Sequence, residues 1–209
     1  MRSGWLTGLV GAGSIAVSPL ASAALVTFDD AVVGETTYAF DGDGDNVDDV
    51  VFTTTDPLGF NTLGPGLNQQ FIDEPGLEGT SDLDPDLRAD FLNGATGSLA
   101  FGFALNSGVE SDDYFASLSV FDAAGNLLGS ESVVGVFGTS DYPEGLVSVA
   151  FQGTAAYATF NFTSEFGRYI IDNFEGTFGT TEVPTIPEPA TLLLVGAGLA
   201  RVFVRRRRP

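Results

Sequence analysis

The stretch "AFDGDGDNVDDVVF" sets four carboxylates in a pattern that suits a hard cation. Asp41, Asp43 and Asp45 alternate with glycine, and Asp49 follows four residues later. Calcium takes roughly six to eight oxygen ligands, and alternating Asp on a tight loop turns several carboxylates toward one centre. Counting Asp41 as the first loop position, Asp43 and Asp45 stand third and fifth. Val47 would donate its carbonyl at the seventh, and Asp49 would close the site at the ninth. Asn46 holds the sixth position, where a left-handed backbone is wanted, and Asn tolerates that conformation. Phe52 stands where an EF-hand has its bidentate Glu, and the flanks read as strands. The pattern predicts a structural calcium site on a β-hairpin, not an EF-hand. A weaker second set is Asp29, Asp30 and Asp172, if the first and last strands lie side by side.

Other chemistry is excluded by composition. The chain has no Cys, no His and no Lys. Disulfides, thiol nucleophiles, most zinc sites and every His-based triad are therefore ruled out. No G-x-S-x-G elbow or phosphate-binding glycine loop is present. A glycosidase-like carboxylate pair remains as an alternative, but some such pair arises by chance in so acidic a chain. The expectation is a non-catalytic protein. The formal net charge is −20, which repels nucleic acid and favours divalent cations.

The elements that must carry these residues read as strands. "SLAFGFAL" places Leu99, Phe101, Phe103 and Leu105 on one face. "LVSVAF" groups Val147, Val149 and Phe151, while "YFASLSVF", "YATFNF" and "YIIDNF" are strand-like throughout. Turn signals separate them: "DAAGN", "TSDYPEG" and "TSEFG". "VFDAAGNLLGS" predicts a hairpin with Gly125-Asn126 at positive φ. The acidic, Pro-rich segment from Asn68 to Asn93 predicts a long loop with one helical turn at Leu87 to Leu92. No internal repeat is visible. The fold class expected is all-β, an antiparallel jelly-roll-type β-sandwich. It is flanked by an N-terminal signal helix and a short C-terminal transmembrane helix.

Both ends read as export devices. Arg2 opens the chain, Trp5 to Val17 is apolar, and Ala21-Ser22-Ala23 is a small-x-small cleavage site that leaves Ala24 first. At the other end Pro187-Glu188-Pro189 precedes the apolar run Ala190 to Ala200. Arg201 interrupts it, and Arg205, Arg206, Arg207 and Arg208 follow. A span needs about 20 apolar residues, so Arg201 must snorkel. By the positive-inside rule the arginine cluster is a cytoplasmic stop. The expected division is signal peptide 1–23, sandwich 24–181, linker 182–186 and tail 187–209.

"PEPATLLLVGAGLA" followed by "RRRR" resembles the PEP-CTERM sorting signal, a tail also labelled as the C-terminal domain of ice-binding proteins. The resemblance implies a Gram-negative surface or matrix protein, exported by the Sec machinery and signal peptidase. It would be held briefly in the membrane and then processed by exosortase, a cysteine transpeptidase-like enzyme. An unprocessed membrane anchor is the alternative. "TFDD", "VFDAAGNLLGS" and "YIIDNF" more diffusely resemble carbohydrate-binding jelly rolls. That resemblance implies a glycan-binding module of the exopolysaccharide matrix, with Tyr114, Tyr142 and Tyr157 as candidate contacts.

Overall fold

The computed structural model describes residues 22–179 except 63, 65–67, 74 and 82. The signal helix, Ala21, the linker, the sorting motif Pro187-Glu188-Pro189, the apolar tail and Arg205 to Arg208 lie outside the described residues. Among the described residues there is no helix, and every strand pairing is antiparallel. The strands are β1 (Ser22–Val26), β2 (Thr37–Phe40), β3 (Val50–Thr54), β4 (Leu77–Thr80), β5 (Leu87–Leu105), β6 (Phe115–Phe121), β7 (Leu127–Val134), β8 (Glu144–Ala150), β9 (Ala155–Phe162) and β10 (Arg168–Phe178).

The sandwich is organised by β5, whose two halves belong to different layers. Its first half pairs with β3 and β9, and β9 leads on to β6 and β7. Its second half pairs with β10 and β8, and β10 also carries β1 and β4. The change of layer falls where register is lost between Asp90 and Ala95. Gly94 and Gly97 lie there at φ of 80° and 83°, a conformation that L side chains resist. Strands that bend in this way form the corners of sandwiches.

Alternation then builds the core. Leu99, Phe101, Phe103 and Leu105 of β5 are buried with Val147, Val149 and Phe151 from the β8 region, as their spacing predicts. They meet Phe52, Phe160, Phe162 and Phe174 in one cluster. Phe160 sits among four other rings, the nearest being Phe101 at 5.0 Å. With 18 Phe and no disulfide, aromatic packing holds the two layers together.

Two local expectations are corrected. Leu87 to Leu92 is not a helical turn but the start of β5. Leu87, Ala89 and Phe91 point into the core, while Arg88 and Asp90 lie outside and pair with each other at 2.6 Å. The charges that suggest a loop are the outward half of a strand. In the β6–β7 turn only Gly125 takes positive φ. Asn126 instead donates its backbone N–H and side-chain amide to Asp122, which closes the turn without a left-handed backbone at that position.

What remains of the long loop is a strap. Residues 68–73 cross the outer face of the layer that contains β10. Gln70 and Phe71 donate their N–H groups to Glu144 Oε2 at 2.8 and 3.3 Å, and Asp73 donates to Asp172 Oδ2 at 2.8 Å. Ile72 packs on Ala104 and Ile170.

Candidate metal centre and sorting tail

The acidic loop joins β2 to β3. Phe40 faces Val50 across the pair, and the Asp49 N–H bonds the Phe40 carbonyl at 2.8 Å. Asp41 and Asp49 therefore flank the mouth of the loop. Gly44 and Asn46 take φ of 74° and 68°, so the chain curls between them as the sequence predicts. The Asp41 carboxylate accepts N–H groups from Gly44, Asp45 and Asn46 at 2.7, 3.3 and 2.8 Å. Asp49 Oδ2 accepts from Gly42 at 2.9 Å. The loop is folded around its own carboxylates.

Three of the expected ligands converge. Asp41, Asp43 and Asp49 each bring one oxygen within 4.8 Å of the others, and no other such set of acids occurs among the described residues. Asp45 is outside this trio, and its Oδ1 accepts the Val47 N–H at 2.7 Å. Val47 itself is 44 % exposed. Burial raises the proton affinity of Asp49. The Gly42 amide opposes that rise, and repulsion from Asp43, Asp41 and Asp45 adds to it. At Asp41 partial desolvation acts in the same direction. There the amides of Asn46, Gly44, Asp45 and Asp43 outweigh it and hold the carboxyl below its usual range. One acid is thus prepared to stay charged beside another whose charged form is disfavoured by burial and, after that, by its neighbours' charge.

The second set is not gathered in the same way. β1 does lie beside β10, but each acid has its own partner. Asp29 accepts from the Thr27 hydroxyl at 2.6 Å and Asp30 from the Tyr38 hydroxyl at 2.7 Å. Asp172, 1 % exposed, takes the amides of Asp73 and Asn173. Burial pushes the Asp172 carboxyl up to about 6. The two amides pull against that, and the charges of Asp73 and Asp29 add to it. The folded state thus holds this proton more tightly than the unfolded chain, whose value is near 3.8. The resulting stability is present below about pH 4 and is lost as pH rises through about 6. Wild type should therefore be more stable at pH 5 than at pH 7.5 by on the order of 1–2 kcal/mol from this group. Urea melts of Asp172→Asn should show a flatter profile over that window. An unchanged slope would rule out Asp172 as its source.

The candidate aromatic contacts divide. Tyr114 packs against the core. The Tyr157 ring is taken up by Phe121, stacked at 5.0 Å, and by the Arg88 guanidinium at 3.9 Å. Tyr142 lines a cleft with Arg168 and Glu78. Sequence reasoning missed the Glu78–Arg168 pair and the buried Glu144. Their partners lie about 70 to 90 positions away, and no local pattern signals them.

Beyond the sandwich, residues 185–208 match the PEP-CTERM protein-sorting motif. This chain carries a PEP-CTERM sorting tail. The motif marks the chain for export and for handling by exosortase. No curated protein matches the sequence. Similar solved structures include the K2 cleaved adhesin domain of Lys-gingipain, with 16% identity and a TM-score of 0.44 over 76% of this chain and 99% of that one. The K3 cleaved adhesin domain from Porphyromonas gingivalis has 16% identity and a TM-score of 0.41, covering 73% and 97%. A mutant of CBM29-2, a family 29 carbohydrate-binding module, has 12% identity and a TM-score of 0.40, covering 80% and 99%.

Proposed function

We propose that this chain is a non-catalytic surface or extracellular-matrix protein of a Gram-negative bacterium, released from the membrane by exosortase and stiffened by calcium. The observation that carries the reading is the PEP-CTERM match at residues 185–208, set a few residues behind the last described strand, which closes at Phe178. The test is intact mass of the protein recovered from its host's surface and medium. Loss of both the signal peptide and the arginine cluster supports the reading. A surface protein that retains Arg205 to Arg208 overturns it in favour of a plain anchor. The non-catalytic part is supported by the absence of His, Cys and Lys, which leaves carboxylates as the main acid–base groups.

Calcium would be held by Asp41, Asp43 and Asp49, with Asp45, the Val47 carbonyl and water available to complete the shell. It would fasten the β2–β3 hairpin in a fold without disulfides. Extracellular calcium modules bind at about 10⁻⁴–10⁻³ M. At 10 mM calcium the gain in stability is therefore about 1.4–2.7 kcal/mol, or roughly 4–10 °C in melting temperature. Asp43→Ala should melt like wild type in EDTA and fail to gain on adding calcium. A wild-type melting temperature indifferent to calcium removes the site.

A further inference from the structure

Removal of the signal peptide after Ala23 would cut through a strand rather than ahead of one. Ser22 and Ala23 stand in β1 opposite Phe178 and Thr177, and Ala24, Leu25 and Val26 stand opposite Gly176, Glu175 and Phe174. Hydrolysis of the Ala23–Ala24 amide adds water across that bond. The Ala23 carboxylate leaves with the signal peptide, and Ala24 keeps an amine that is protonated at neutral pH. The three pairs from Ala24 to Val26 survive and hold the new terminus on β10.

That charge would appear at the mouth of the acidic loop. Ala24 packs against the core, on the same side of β1 as buried Val26. Gly42, across the mouth, has no room for a side chain. A methyl placed on it would meet the Phe40 ring at 2.9 Å, Asp49 Oδ2 at 3.2 Å and the Ala24 methyl at 3.5 Å. The Ala24 methyl is therefore no further from the Asp49 carboxylate than the last two distances laid end to end, and the Ala24 nitrogen is bonded to the same Cα. Asp49 is buried, and the Gly42 N–H reaches one of its two oxygens. No side-chain cation serves it. The chain has no Lys and no His, and the two arginines among the described residues are held by acids of their own, Arg88 by Asp90 and Arg168 by Glu78.

We propose that signal-peptide removal finishes this end of the sandwich: the α-ammonium of Ala24 pairs with the Asp49 carboxylate and becomes the loop's built-in cation. In the uncut chain the same nitrogen is a neutral amide, so the precursor lacks the pair. A buried carboxylate is costly unless it is paired and hydrogen-bonded, and hydrogen bonds between charged partners are the stronger kind. The pair ties β1, in one layer, to the loop between β2 and β3, in the other, within a fold that has no disulfide. A calcium ion on Asp41, Asp43 and Asp49 would share Asp49 with the ammonium, and the two like charges would weaken each other's hold. The proposal rests on removal of the signal peptide after Ala23, and it is independent of exosortase and of calcium.

The test uses the exported product of the full-length gene, recovered from its host and held in EDTA at neutral pH and low salt. N-terminal sequencing and intact mass establish its first residue. Because the chain has no Lys, the α-amine is its single primary amine, and amine reagents modify that group alone. Reductive dimethylation adds bulk and keeps the charge, whereas acetylation adds similar bulk and removes it. The acetylated form should melt about 2–4 °C below the dimethylated form, which itself should stay within a degree or so of the free amine. In Asp49→Asn the gap between the two modified forms should close. A first residue other than Ala24, equal melting of the acetylated and dimethylated forms, or a gap that survives Asp49→Asn overturns the proposal. Retention of Arg205 to Arg208 bears on exosortase alone and changes none of these readings.

Discussion

Replacing Pro187, Glu188 and Pro189 by alanine is expected to leave the exported protein in the membrane fraction with its arginine cluster attached. The effect should be all or none. Two prolines remove two backbone donors and stop the apolar run from extending backwards as helix. On the proposed reading, that constrained backbone together with the Glu188 carboxylate is what exosortase recognises. Three alanines lift the proline constraint and remove the Glu188 charge, while the apolar run and the arginine cluster behind them are left intact. A plain anchor would not notice the change. Fractionation with intact mass separates the outcomes. Accumulation of precursor lacking only its signal peptide supports sorting, and release at the wild-type rate rules out this element. The folded domain should be identical in both forms, because its described strands end at Phe178.

Phe160→Ala should come close to unfolding the domain. The ring is fully buried and touches Phe101 of β5, Phe52 of β3, its strand neighbour Phe162 and Phe174 of β10. It therefore belongs to both layers at once. Removing a buried Phe costs about 3–5 kcal/mol, while small domains have only about 5–15 kcal/mol in all. No disulfide supports this core. The urea midpoint should fall by more than a third with an unchanged m-value. A loss below about 1 kcal/mol would mean that the rings around Phe160 repack freely and that the cluster does not join the layers. Phe121→Ala makes a useful contrast. Phe121 is only half-buried against Tyr157 on the outside, and its loss should cost much less.

The sequence was legible where a strand speaks for itself. Leu99 to Leu105 and Val147 to Phe151 alternate without interruption, and their burial follows. The curl of the acidic loop was legible because it depends on Gly44 and Asn46 within nine residues of chain, although of the expected ligands only Asp41, Asp43 and Asp49 converge. Leu87 to Leu92 was not, because its outward residues are charged and its neighbours are Asp and Pro. Alternation there shows only when Arg88 and Asp90 are recognised as partners on one face. Glu144, Asp172 and the Arg168–Glu78 pair were invisible for another reason. Each acquires its role from the strap or from β4, which the chain lays down far earlier. The four described residues of the strap that bond or pack on the sheet, Gln70 to Asp73, carry no periodic signal at all.

The position of β10 has a consequence for the order of events during secretion. It is the last described strand, yet β1 and β4 have no other described strand as partner, β4 adding only a bridge from Glu78 to Asn61, and the second half of β5 lies against it. A chain that crosses the membrane N-terminus first therefore brings out two strands that must wait for their template. The sandwich stays open until residue 178 has emerged, which suits a translocation pore that passes only unfolded chain. The sorting tail follows within a few residues, at 185. On the proposed route the tail would hold the chain at the bilayer just as closure of the sandwich becomes possible. That hold would act as a clock as well as a tether. It would span the interval in which the final strand slots into the middle, and cutting the tail would set free a molecule that has had time to finish.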